Sequence, residues 1–264
     1  PNLPTDAWAQ VRLIAPERVP PYFGKFRDSV MKQTGPFKWL PREGATEIVA
    51  EAMRPAVRFT RDECVDLPPC IYQKRQVGMT SEQAAAYKAM LAKLKFEHAA
   101  SQVTAVNEAV KLSKLLQICC GAAYSGDGTS VALDVTPRIN EVLDIIEQSA
   151  GKVLVFVPFT AALEHVTAEV RKLYDAGMIY GGTPKQERDN IFSAFQRGKS
   201  MRVLVANPGT LSHGLTLTAA NTIVWFGPPN SAEQYEQANA RVTRPGQQRT
   251  QFIVHIEGTP VERR

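Results

Sequence analysis

The chain has 264 residues, 44% of them hydrophobic and 22% charged, an ordinary globular composition that can bury one large or two modest cores. Its 31 lysines and arginines against 26 aspartates and glutamates leave a net charge of +5, which permits an anionic partner without requiring one. No apolar run reaches the roughly 18 residues of a membrane span and the N-terminus carries no signal-peptide pattern, so a cytoplasmic protein with no membrane partner is expected.

Residues 1–60 mix two short helical signals, YFGKFRDSVMKQ at 22–33 and ATEIVAEAM at 45–53, with prolines at 16, 20, 21, 36, 41 and 55. They read as an irregular, mostly helical region. Residues 61–135 read as a helical insertion and lead-in: a strand candidate IYQKRQVGM, an Ala-rich helix opened by Thr80 or Ser81, and a second helix from about 104 to 118. The stretch GAAYSGDGTS, 121–130, reads as a loop. Asp62 and Glu63 form an acidic pair, but no apolar strand leads into it, so it is read as surface charge. Cys64, Cys70, Cys119 and Cys120 lack C-x-x-C spacing, which favours free buried thiols over a zinc site.

From 136 onward strand-length apolar runs alternate with helical segments. The runs are VLVFV, MIY, RVLVA, TIVWF and FIVHI; the helices fall at about 137–149, 160–175, 185–197 and 231–244. Continuous apolar strands separated by helices predict a parallel sheet covered on both faces, an α/β domain over 136–264. Such sheets bind ligands at their carboxyl ends, here the loops after 157, 180, 206 and 226 together with the helix that follows the last of them.

That helix carries QYEQANARVTRPGQ at 234–247. At about 100° per residue Gln237, Arg241 and Arg244 share a face, Ser231 and Gln234 form a capping box, and Pro245-Gly246 marks the end. One reading is a solvated stripe with Glu233 and Glu236 as partners; the other is a site for phosphate. Gly198-Lys199-Ser200 resembles the end of a phosphate loop, but Ser193 replaces the required first glycine and the tripeptide follows a helix instead of a strand. The arginines therefore lack a nucleotide-holding loop of their own, as when one domain inserts arginine fingers into a site on another.

Here the sequence resembles a family. QYEQANARVTRPGQ is similar to motif VI of superfamily 2 helicase-like ATPases in the form found in Swi/Snf DNA translocases. KVLVFVPFTAALEHV resembles motif IV, IYGGTPKQERDNIFSAFQ the block after it, and VLVANPGTLSHGLTLTAANTIVWF motif V leading into motif VI. Upstream, PNLPTDAWAQ, the segment around VDLPP, LSKLLQICCG and EGTPVERR resemble family blocks in the same order, so nearly the whole chain is covered. Two departures stand out: Gly227 replaces the family's acid before motif VI, as in compact phage and bacterial members, and TLSHGLT replaces A-G-G-x-G-L-N, with Leu211, Ser212 and Thr216 substituted.

The resemblance implies a RecA-like fold of P-loop NTPase type, the second lobe of an ATP-dependent DNA helicase or translocase encoded by a bacterium or phage. ATP and Mg2+ would be held mainly by a first RecA-like lobe of the same polypeptide, and double-stranded DNA would be the other partner. The chain starts at Pro1 and stops in what looks like a helix start, so it reads as an excised fragment that should not hydrolyse ATP alone. Arg241, Arg244 and Gln237 take the catalytic roles, Gly214 and Thr216 the nucleotide contacts, and Thr160, Gly182, Thr183, Arg188, Thr210 and Ser212 the nucleic-acid contacts. No residue is assigned to a metal. His213 reads as a contact or packing residue, and Trp225 and Phe226 as strand core. The rival reading is a noncatalytic nucleic-acid-binding or interaction module.

Overall fold

The computed structural model describes residues 3–57, 59, 61–100, 105–124, 130–211 and 216–263, and these fall into two compact units, Pro1–Cys64 and Val65–Arg264. In the first, helices α1 (Ala7–Ile14) and α2 (Phe23–Val30), strands β1 (Met31–Gly35) and β2 (Lys38–Pro41), and α3 (Ala45–Met53) surround Val11, Val19, Phe26, Val30 and Met31. The short α4 (Arg61–Cys64) contains the Asp62-Glu63 pair. The expected helix over 22–33 is corrected: α2 stops at Val30, and Met31–Gly35 pairs antiparallel with β2, Lys32 opposite Leu40 and Gln33 opposite Trp39. Arg42 closes off α2, its Nε donating to the carbonyls of Asp28 (2.9 Å) and Met31 (3.0 Å).

The second unit runs β3 (Cys70–Gln76), α5 (Ser81–Ala100), α6 (Ala105–Cys119), β4 (Ala122–Tyr124), β5 (Ser130–Ala132), α7 (Thr136–Gln148), β6 (Lys152–Phe156), α8 (Thr160–Arg171), β7 (Ala176–Ile179), α9 (Lys185–Arg197), β8 (Val203–Ala206), β9 (Ala220–Trp225), α10 (Ala232–Asn239) and β10 (Gln251–Glu257). Six strands form one parallel sheet in the order β3-β10-β9-β6-β8-β7. It draws its edge strand from ahead of the α5–α6 insertion. The stretch 121–130 is not simply a loop: β4 and β5 pair as a small hairpin, with 125–129 outside the described residues. Gly121 makes this possible by ending α6 at φ 83°, where a Cβ would lie 2.7 Å from Val135.

The sheet divides β6 between two cores. Val153 and Val155 meet Val142 and Ile146 of α7 and Leu163 and Val166 of α8; Leu154 and Phe156 meet Phe192 and Phe195 of α9 and Ala238 of α10. Helices thus cover both faces, which is why these strands are continuously apolar. Each fully buried side chain of this size contributes about 1.5–3 kcal/mol. Lys152 enters β6 from below and donates through Nζ to the carbonyls of Phe195 (2.6 Å) and Gly198 (2.5 Å). It caps α9 as a cation at a helix C-terminus, and Gly198-Lys199-Ser200 is the exit of that helix.

The carboxyl end of the chain corrects another expectation. TPVERR opens no α-helix; Pro260–Glu262 is a single 3-10 turn whose Glu262 folds back to accept from the N–H groups of Gly258 (2.8 Å) and Thr259 (2.9 Å). The same carboxylate meets Arg138 of α7 at 2.6 Å, and Arg138 also donates to the carbonyl of Phe226. Both side chains are almost fully buried. Of the four thiols, Cys119 and Cys120 are buried, Cys70 half-buried and Cys64 exposed. Burial, reinforced by the Glu262 carboxylate, pushes the Cys119 thiol up to about 12, and burial alone dominates a still higher Cys120, so both are protonated at neutral pH.

Candidate nucleotide and nucleic-acid interface

The helix that carries the glutamine begins as its sequence predicts. The Ser231 hydroxyl accepts from the Gln234 N–H at 3.1 Å, and the Gln234 side chain reaches back to the N–H of Asn230 at 3.3 Å. Its end is a correction. α10 stops at Asn239, so Arg241 and Arg244 lie on the turns beyond it and share no helical face with Gln237. Three tertiary demands stop the helix. Asn239 accepts from the Trp225 indole at 3.1 Å, Val242 is pulled into the core, and Gln247 donates to the carbonyl of Ala220 at 2.8 Å. The backbone follows with tight bonds, Val242 N–H to Asn239 (3.1 Å) and Gln247 N–H to Arg244 (3.0 Å).

This turn sits beside the segment that enters β9, not among the carboxyl-end loops. The Leu217 N–H donates to the carbonyl of Arg241 at 2.9 Å, and Arg244 Nη1 donates to Thr216 Oγ1 at 3.3 Å. Arg244 and the exposed Thr216 are therefore brought together, while Gly214, Ser212 and His213 lie outside the described residues. Partial burial and the like charge of Arg244 both hold the Arg241 basicity below its ordinary value. Gln237 is one turn back on α10, where its Nε2 donates to Glu233 at 2.9 Å, so one partner of the solvated-stripe reading is in place for the glutamine. Ser231, Gln234 and Gln237 line a cleft of about 280 Å³ against Pro208 and Gly209.

The remaining predicted contacts sit at the carboxyl edge of the sheet. Thr160 is exposed as the first residue of α8, Gly182 is exposed after β7, and Arg188 is half-buried early in α9. Thr183 is buried and its hydroxyl accepts from the Tyr180 N–H at 3.0 Å. Thr210 donates to the carbonyl of Asn207 at 2.7 Å. Both hydroxyls thus serve their own turns. Sequence reading missed Asn207, which organises this edge: its Nδ2 donates to Pro158 (2.9 Å), its N–H to Ile179 (2.9 Å), and its Oδ1 accepts from Gly209 (3.0 Å). An asparagine between an apolar strand and Pro-Gly is a turn signal that could have flagged it.

Gly227, the departure from the family's acid, has a steric cause. A Cβ there would lie 2.5 Å from Cys120 Sγ, just past the end of α6. Trp225 and Phe226 are buried, consistent with a core role. Among the described residues no three His, Cys, Asp or Glu side chains gather as metal ligands, and no helix is long and apolar enough to cross a membrane.

Residues 137–246 match the family described as helicase conserved C-terminal domain. Protein p41 of Acyrthosiphon pisum secondary endosymbiont phage 1 is 30% identical over 198 residues, 72% of this chain and 41% of the phage protein. YwqA of Bacillus subtilis (strain 168), whose name proposes an ATP-dependent helicase/translocase, is 29% identical across 75% of this chain and 22% of its own length. The chain thus spans less than half the length of these curated relatives. Among solved structures, the Sulfolobus solfataricus SWI2/SNF2 ATPase core in complex with dsDNA is 25% identical with a TM-score of 0.58, covering 81% of this chain and 47% of that one. The C-terminal domain of that ATPase by itself shares the fold at TM-score 0.53 and 23% identity, over 72% of this chain and 80% of that one.

Sheet order, two-faced helical cover and family match define the second unit as a helicase C-terminal domain, a RecA-like lobe. Within that class the relatives and solved structures above fit a C-terminal lobe of Swi/Snf type.

Proposed function

We propose that this lobe completes the ATP site of a DNA translocase whose phosphate loop lies on a first RecA-like lobe. The observation that carries the reading is the placement of Arg241 and Arg244 on one hydrogen-bonded turn, with the Arg241 basicity lowered by burial and by its neighbour. Two guanidiniums held this way present a preorganised pocket for an anion whose negative charge grows during reaction. The residues fit a terminal phosphate; they do not fit Mg2+, which would be held by the other lobe. ATP supplies the transferable phosphoryl group.

Lobe closure would bring Arg241 and Arg244 against that phosphate, with Gln237 assisting them and Gly214 and Thr216 assigned to nucleotide contact. Arg244 would give up its 3.3 Å contact with Thr216 for a stronger charge-assisted bond. Thr160, Gly182 and Arg188 would hold the DNA backbone at the carboxyl edge, and Ser212, outside the described residues, is assigned the same role. Thr183 and Thr210 would act as supports of that edge, since their hydroxyls are engaged locally. Backbone contacts of this type carry no sequence preference. Double-stranded DNA is the expected track, supported by the likeness to the Sulfolobus solfataricus ATPase core in its complex with dsDNA.

The test is DNA-stimulated ATP hydrolysis by a polypeptide joining this lobe to its first lobe. Arg241→Ala or Arg244→Ala should cut turnover by about 10³-fold or more with DNA binding kept, the scale of an arginine finger. The isolated chain should show no turnover. If the variants lose DNA binding while turnover per bound complex survives, the protein is a phosphate-gripping module and the ATPase reading fails.

A further inference from the structure

The first unit offers a surface that the arginine turn does not use. Phe37 is 98% exposed at the tip of the β1–β2 hairpin, immediately after Gly35-Pro36. A tip of this kind closes as well with polar turn residues, and leaving a phenylalanine in water forgoes about 1.5–3 kcal/mol of possible burial. The hairpin beneath it is firmly seated. Met31 is buried, and Trp39 packs on the small core on one side with the Arg27 guanidinium 3.9 Å from its ring centroid on the other. The ring at the tip is therefore presented by an anchored element.

The helix and hairpin that carry it are rich in cations, with Glu43 following directly after them. Residues 23–42 contain Lys25, Arg27, Lys32, Lys38 and Arg42 against one acid, Asp28, which Arg27 already pairs at 2.9 Å. Lys32 and Lys38 are exposed on the hairpin itself, and no acid lies between them. An exposed ring flanked by lysines suits a strand with accessible base faces and regularly spaced phosphates. A duplex hides those faces, and protein interfaces disfavour lysine at their cores.

We propose that the hairpin is a single-strand contact, Phe37 stacking on an unpaired base while Lys32 and Lys38 take the neighbouring phosphates. The choice of partner rests on the nucleic-acid reading above, but the residues belong to the other compact unit and none of them is a predicted site residue.

Binding of the 264-residue chain to labelled oligothymidylate and to a blunt duplex of equal length, measured by fluorescence anisotropy over a range of salt, tests this. Phe37→Ala should weaken oligothymidylate binding about 5- to 150-fold with the salt slope unchanged, and Phe37→Trp should restore it. Lys32→Gln combined with Lys38→Gln should instead flatten the salt slope by about 1.4, from two lost phosphate contacts. Because Phe37 touches solvent, Phe37→Ala should leave the thermal midpoint unchanged, which separates a lost contact from a lost fold. Unaltered affinity in Phe37→Ala, an equal loss on the blunt duplex, or no oligonucleotide binding by the parent chain overturns the proposal. So does a Phe37-dependent change in sedimenting mass without change in DNA binding, which would make the tip a protein contact. Turnover in Arg241→Ala bears on the finger reading alone and leaves the Phe37 outcome untouched.

Discussion

Two arginine sites in the second unit use the same side chain in opposite ways. Arg138 is 4% exposed, meets the fully buried Glu262 at 2.6 Å and fills its other donors with main-chain carbonyls. Arg241 and Arg244 are half-buried on a turn, and burial, with the like charge of Arg244 second, lowers the Arg241 basicity. The first site is electrically closed and fastens the end of the chain to α7. The second is half-buried, on the turn where the proposed function has an anion arrive from outside. A count of arginines would not separate the two; burial and the identity of the nearest charge do.

The largest effect expected from this contrast is kinetic. Arg241→Lys in the two-lobe polypeptide keeps the charge but loses the planar fork, and turnover should still fall by about 10²-fold or more. Near-normal ATP hydrolysis would show that charge alone suffices. Next comes stability at the closed site. Glu262→Ala leaves Arg138 buried without its carboxylate and should cost about 3–5 kcal/mol, read from urea unfolding, while turning both residues into methionine should recover most of the loss. If the double substitution unfolds as readily as the single one, the pair is not the source of the effect.

A smaller effect is expected beside the closed site. Restoring the family's acid with Gly227→Asp forces a side chain against Cys120 Sγ and should cost about 1–3 kcal/mol in the same assay, with Cys120→Ala relieving part of it. Unchanged stability would remove the steric account of this glycine. The smallest is His255, a ring that burial keeps neutral, its pKa held below the ordinary 6.5 by desolvation. The unfolded chain then binds this proton more readily than the folded one, so stability is undiminished above about pH 6.5 and declines as pH falls through the folded value. His255→Phe should flatten the thermal midpoint between about pH 7 and pH 5; an unaltered slope would assign the acid sensitivity elsewhere.

Most of the second unit was legible from residue order. Strands such as VLVF and VLVA are apolar without alternation because Val153 and Leu154 face different helical layers, and that pattern implies a covered parallel sheet. The starts of α8, α9 and α10 were read to within a residue or so, that of α10 from its Ser231 cap. The end of α10 was not legible. Nothing within ARVTRPG forbids a helix before Pro245; the partners that break it, Trp225 and Ala220, are strand residues from earlier in the chain. The same holds for the β1–β2 hairpin, whose strand MKQTG has weak strand character and forms because Met31 completes a core.

By itself the sequence determined the α/β class, the likeness to helicase-like ATPases and the residue types available to a phosphate, since these follow from apolar periodicity and ordered motifs along one chain. The tertiary structure alone decided that Gln237 is separated from Arg241 and Arg244 by a broken helix, that the arginines stand beside Thr216 and the entry to β9, and that Glu262 is a buried counter-charge. Local pattern sets what a segment can form. Where it stops, and which charge lies nearest, depend on contacts between residues far apart in the chain, and only packing fixes those.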